Sequence, residues 1–212
     1  LSRYSVLMCL YTLSSATQSF PMVSVAAVLN QELGFSAGEV TLYYALSFIP
    51  WNLRSIYGLI SDTVSVYGYR RKPYIVVCNL CVSVGYLFYG NLVSSLAQAT
   101  LVGIFINVFY AFSESVIDAI SIDKIRQFDP DGSDRVRLSS DIQSASMFFR
   151  TLGSTLSLLC AGVLSRSLSP RTLISISSAF PILMVCLCIF ARIEVQVTPV
   201  RPQFFKYIEQ CI

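Results

Sequence analysis

Residues 58–75 read GLISDTVSVYGYRRKPYI: one acid and three successive cations, caught between two long apolar runs. A soluble domain spreads its charge over the surface. A membrane-spanning chain crowds it into connections, because hydrocarbon excludes ionised groups. Composition decides between the two. Of the 212 residues, 54% are hydrophobic and only 13% charged, whereas a typical soluble domain carries about 25% charged residues. Mean hydropathy is +0.64. The formal charge of +3 is too small to mark a nucleic-acid partner, and none is expected.

Working outward from this stretch, six apolar spans are predicted at about 5–29, 39–60, 74–94, 99–122, 141–165 and 172–192. Each reaches the ~20 residues that a helix needs to cross ~30 Å of hydrocarbon. The expected fold is all-α: a polytopic transmembrane bundle over 1–192, with 193–212 as a cytoplasmic linker or truncated tail. Arg3 precedes the first span, as in a secretory signal. The span is too long for that role and carries Gln18 and Pro21 in its middle, so it reads as a retained helix.

Orientation follows from the cations. Arg3; Arg70, Arg71 and Lys72; Lys124, Arg126, Arg135 and Arg137; and Arg192, Arg201 and Lys206 fall on one side, and only Arg166 and Arg171 on the other. The positive-inside rule then places both ends of the segment, and the 58–75 connection, in the cytoplasm. Seven cysteines lie almost entirely within the spans, where thiols pack as small apolar groups. Cys78 and Cys81 form a CxxC, but the chain has no histidine and no second CxxC, so neither a metal site nor a cofactor is expected. DPDGSD at 129–134 lacks the acidic spacing of a calcium loop and reads as a solvated turn. A GxxxxGK[ST] phosphate loop is absent, which leaves transport driven by ATP within this chain without support.

Charges inside the spans carry the functional signal. Asn107, Ala111, Glu114, Asp118 and Ser121 follow spacings of four, three, four and three and so form one helical stripe. A single ionised group at a helix centre costs ~2.5 to 3.5 kcal/mol, so two carboxylates must meet cations, water or protons. Arg54 and Arg150 lie roughly 12 to 14 Å below the cytoplasmic surface, close to the level of Glu114. The four can therefore be neutral as a set. Arg150 opens its own stripe with Gly153, Ser157, Ala161 and Ser165, small residues that permit close helix approach. Tyr11, Ser15, Gln18 and Met22, and Tyr43, Ser47, Pro50 and Arg54, form two weaker polar faces, read as interhelical hydrogen bonds. Pro21 and Pro50 are expected to kink their helices, and Trp51 to serve packing.

The pattern Gly58, Ser61, Asp62, Gly68, Arg70, Arg71 and Lys72 resembles the loop signature between the second and third helices of the major facilitator superfamily. PWNLRSIYGLISD joined to GYRRKPY is similar to the folate-biopterin transporter family in particular. Arg54 and Ser55 stand where that family commonly has Lys-Pro, Ser14 and Ser15 near its Gln-Gly pair, and SESVIDA resembles its Asp-Val-x-x-Asp-Ala pattern. The resemblance implies twelve helices in two rocking halves with substrate at the midplane. This chain would supply the N-terminal six-helix half, and a C-terminal half or a second copy would be its partner. Its start at Leu1 rather than Met fits a fragment.

The implied substrate is folate, biopterin or a related pteridine. Glu114, Asp118, Arg150 and Arg54 are the expected substrate-binding or proton-coupling residues. Gly58, Asp62, Gly68, Arg70, Arg71 and Lys72 are the expected gating loop, with Asp62 meeting backbone N–H groups at a helix N-terminus and the arginines meeting carbonyls or lipid headgroups. An ion-pair network that only fixes packing is the competing reading of the four intramembrane charges. At the level of the whole chain the alternatives are a non-transporting membrane scaffold or partner subunit, and a carrier of another organic anion. The housing membrane is the plasma membrane or that of an organelle.

Overall fold

The computed structural model describes residues 5–64, 66, 69, 71–128 and 133–190. Its elements are helices: α1 (Ser5–Ala27), α2 (Ala37–Ser47), α3 (Arg54–Thr63), α4 (Lys72–Leu92), α5 (Leu96–Phe128), α6 (Arg135–Leu164), α7 (Pro170–Ser177) and α8 (Ala179–Phe190). Gly68, Arg70, most of the 129–134 turn and the 193–212 tail lie outside the described residues.

Local sequence sets the helix ends. Gly34, at φ 64°, makes the left-handed turn after α1 that a side chain would disfavour. Ser36 then caps α2 reciprocally with Glu39: its hydroxyl accepts from the Glu39 N–H, and the Glu39 carboxylate accepts from the Ser36 N–H at 2.8 Å. Ser169 caps α7 in the same sense, with Pro170 at the first helical position, where its missing N–H costs nothing.

The span expected over 39–60 is not one helix. It divides into α2, a 3₁₀ turn over Ile49–Leu53 and α3, because Pro50 has no N–H to give the preceding turn. Pro21, by contrast, sits inside α1 without ending it, and the distortion comes later, in the π-helical turn Val28–Glu32. The sixth span is likewise two segments, α7 and α8, that meet at Ser178.

Four of the helical runs are long and apolar enough to cross a membrane: α4, α5, α6 and the combined α7–α8. Serines, threonines and Gln18 dilute the first span, and the break at Pro50 shortens the second. Both nevertheless take their places in the bundle with polar residues turned inward: Ser14, Thr17, Ser24, Ser47 and Ser61 are all buried. The exterior is the reverse. Val77, Leu80, Val84, Leu87, Leu101, Leu156, Leu159 and Leu183 are exposed, the inside-out pattern expected where the solvent is lipid.

α6 packs chiefly on α1, while α4 is held by α5, α7 and α8. Glycines set two of these contacts. A Cβ at Gly153 of α6 would come within 2.5 Å of the Thr12 carbonyl on α1, and one at Gly90 of α4 would strike Ser175 and lie 2.8 Å from the Arg171 carbonyl on α7. Two large apolar clusters result. One holds Leu10, Ile75, Ile117 and Met184, the other Leu29, Val82, Tyr89 and Ile174. The polar stretch of α5 runs between them.

Candidate functional site

The α5 stripe lands where its spacing places it, facing α1, α3 and α6. Arg150 spans both acids: Nη1 lies 2.6 Å from Glu114 Oε2, and Nη2 donates to Asp118 Oδ1 at 2.8 Å. Arg54 donates to Asp118 Oδ2 and stands 3.9 Å from Glu114 Oε2. Two carboxylates and two guanidiniums thus form one neutral cluster, drawn from α3, α5 and α6.

Neutral groups complete it. Tyr11 of α1 donates to Asp118 Oδ1 at 3.1 Å, and its ring lies under the Arg150 guanidinium at 4.5 Å. Ser14 donates to Glu114 Oε1, and Tyr110 donates to the Ser14 carbonyl at 3.1 Å. Trp51 sits 5.4 Å below Arg54 and donates its indole N–H to Asn107 Oδ1 at 3.1 Å. The two acids differ in access. The Glu114 side chain is 1% exposed and that of Asp118 41%, with Arg54 and Arg150 between them at 34% and 27%. Asp118 and Arg54 form the open side of the cluster, and Glu114 its floor.

Sequence reading found the four charges but not their neutral partners. In the sequence Tyr11 has only the spacing of an interhelical hydrogen bond, Ser14 is marked only by the family resemblance, and Tyr110 carries no charge to mark it. Tyr110 lies three residues after Asn107 and four before Glu114, so helical period puts it on the same face; an uncharged aromatic is simply too ordinary in a membrane helix to stand out there. Small residues of the α6 stripe do face inward through Gly153, Ser157 and Ala161, whereas Ser165, at the helix end, is exposed.

The cationic connection makes a second charged cluster. Arg71, buried at 5% side-chain exposure, bridges Asp62 Oδ1 of α3 at 2.9 Å and Asp123 Oδ2 of α5 at 2.6 Å. Asp123 was not anticipated, because in sequence it belongs to the charged end of another helix. Asp62 meets the Arg71 guanidinium. Lys72 takes the role foreseen for the arginines and donates to the Ile189 carbonyl of α8 at 3.3 Å. Gly58 faces open space. On the opposite side of the bundle, Arg171 at the start of α7 pairs with Glu32 at 2.5 Å.

Among the described residues, six cysteines are free and no group of three or more metal-ligating side chains gathers.

The chain is similar to named transporters from several organisms. The chain is 29% identical over 163 residues to "Folate-biopterin transporter" of Synechocystis sp., covering 77% of this chain and 32% of that protein. It is 32% identical over 156 residues to "Probable folate-biopterin transporter 6" of Arabidopsis thaliana, covering 71% and 29% respectively. "Folate transporter 2" of Plasmodium falciparum is 25% identical over 155 residues, covering 73% and 32%. The matched part is thus about a third of each relative's length. Relatives of this kind are transporters by name, and with four runs able to span a bilayer the chain is a multi-pass integral membrane protein. The BT1 family profile matches residues 16–207, from the middle of α1 past the end of α8, and the chain belongs to the BT1 family.

Proposed function

We propose that this chain is the N-terminal six-helix half of a secondary-active transporter for folate, biopterin or related pteridines. The observation that carries the reading is the convergence of Glu114, Asp118, Arg54 and Arg150 on one inward-facing cluster with an open side. An intramembrane cluster that served packing alone would be expected to close over all its members. Here Asp118 and Arg54 keep a third or more of their side chains accessible.

In this mechanism Asp118 accepts N–H groups of the substrate or a proton, and Arg54 receives a substrate carboxylate. Any such event unbalances the neutral set. Protonating Asp118 frees Arg54 and Arg150 from one partner, which links proton binding to anion binding through shared charge. Apolar residues of α3 and α6 close in sequence to Arg54 and Arg150, such as Ile56, Leu59, Phe148 and Leu152, are left uncovered. They support a second six-helix unit, a C-terminal half or another copy, closing the cleft. The Asp62–Arg71–Asp123 bridge would hold the cytoplasmic ends of α3, α4 and α5 together in one state of the cycle. Both ends of the segment are cytoplasmic in this reading, as the loop cations require.

Uptake of labelled folate and biopterin by the full-length protein tests it. Glu114→Gln, Asp118→Asn and Arg150→Ala are each expected to lower uptake at least tenfold and to flatten its pH dependence. Undiminished, equally pH-sensitive uptake would refute the assignment, and a membrane scaffold would show no saturable flux at all.

A further inference from the structure

One cavity in the bundle is not part of the ionic cluster. It encloses about 300 Å³, within the range of small-molecule sites, and lies between α1, α2, α4 and α5. Five tyrosines wall it: Tyr43, Tyr44, Tyr86, Tyr89 and Tyr110. Its described lining contains no charged side chain.

Two of its polar groups make no well-formed hydrogen bond within the protein, although both face the Tyr43 hydroxyl. These are the Tyr89 hydroxyl and Ser47 Oγ, each buried at 1% exposure. Buried hydroxyls are nearly always paired, so an orphaned pair on one cavity wall marks where a ligand supplies the missing partners. Gly103 keeps the space open. A Cβ there would lie 2.6 Å from Ser47 Oγ and 3.0 Å from the Tyr43 hydroxyl, so the two hydroxyls converge over this glycine.

We propose that this cavity seats the uncharged heteroaromatic ring of the substrate, between tyrosine faces, with Tyr89 and Ser47 hydrogen-bonded to the ring's edge; this rests on the pteridine-transport reading above. The chemistry matches in three respects. Hydroxyls both donate and accept, as a ring edge of alternating ring nitrogens and amino groups requires. Tyrosine faces stack on planar rings. A wall without cations excludes the anionic part of the molecule, since a carboxylate there would be buried unpaired.

The cavity also has the right neighbour for an anionic tail. Asn107 and Tyr110 line it and belong at the same time to the network under Arg54 and Glu114. Asn107 lies seven residues before Glu114, roughly 10 Å along α5. An elongated solute would thus place its ring among the tyrosines and its carboxylate at Arg54. Recognition would be divided: uncharged ring in one compartment, charge in the other.

The test uses full-length protein in proteoliposomes, with pterin (the ring alone) and p-aminobenzoylglutamate (the tail alone) as competitors of labelled folate uptake. In Tyr89→Phe and Ser47→Ala, the inhibition constant of pterin should rise about three- to tenfold, as expected for loss of one hydrogen bond. That of the tail compound should stay within twofold. Active variants with unchanged pterin inhibition would overturn the cavity assignment and leave the transport reading standing. Wild-type vesicles that take up neither folate nor biopterin would sink the transport reading instead. In that case quenching of pterin fluorescence by the purified protein still decides the cavity: saturable binding weakened by Tyr89→Phe keeps it, and no binding overturns it.

Discussion

Glu114 and Asp118 share a helix face and an arginine, yet their surroundings give them different work. Glu114 is buried against Ser14 and Arg150, so removing it leaves the Ser14 hydroxyl without its acceptor and Arg150 with only the more exposed Asp118 as counterion. Glu114→Ala is expected to destabilise the bundle by about 3 to 5 kcal/mol, the usual cost of breaking a buried pair from one side. Asp118, far more accessible, should tolerate Asp118→Asn at a cost of about 1 kcal/mol or less. Thermal unfolding in detergent separates the two, and equal losses would show that exposure does not distinguish them. Arg150→Lys should behave like Arg150→Ala in uptake, because one ammonium cannot hold Glu114 and Asp118 from two fixed nitrogens as the guanidinium does.

At the scale of the element, glycines show which helix contacts are tight. Gly153→Ala pushes a methyl group against the Thr12 carbonyl and Ser15, and prising α6 from α1 in this way should cost about 1 to 3 kcal/mol. Gly58→Ala meets nothing within 4 Å and should leave stability unchanged or raise it by up to about 1 kcal/mol, as alanine favours α3. Yield of folded monomer on size exclusion measures both. If Gly58→Ala keeps stability but loses uptake, the open face above Gly58 is where another part of the transporter packs. The element scale is also where spacing misled: 39–60 has a single span's composition, yet Pro50 divides it, and that break turns Trp51 and Arg54 toward α5.

At the scale of the whole molecule, the ion pairs named above fall at three levels of the bundle: the central cluster, the Asp62–Arg71–Asp123 bridge at one end and the Glu32–Arg171 pair at the other. Arg71, from the connection between α3 and α4, ties α3 to α5 through ion pairs to Asp62 and Asp123. Arg71→Ala should accelerate amide exchange at the C-terminal turn of α3 at least tenfold while leaving α1 and α6 protected. Uniform protection would mean that the bridge holds nothing together. Membrane-impermeant thiol labelling of single cysteines at Ser167 and Asp134, in an otherwise cysteine-free protein, checks the orientation: Ser167 should react from outside the cell or organelle lumen side and Asp134 only after permeabilisation.

Much of this was determined by the sequence. Hydrocarbon excludes charge, so the position of each loop, the helical class of the fold and the inward face of α5 follow from one-dimensional spacing. The stripe of Glu114 and Asp118 needs only a helix of 3.6 residues per turn to exist. Which neutral side chains answer those acids was decided by the tertiary structure, because Tyr11 and Ser14 reach α5 from α1, 100 to 107 residues away. The same is true of Asp123 beneath Arg71 and of the hydroxyls around the tyrosine cavity. Tyrosines and serines are ordinary in membrane helices; only packing separates a hydroxyl bonded to its own helix from one left open on a cavity.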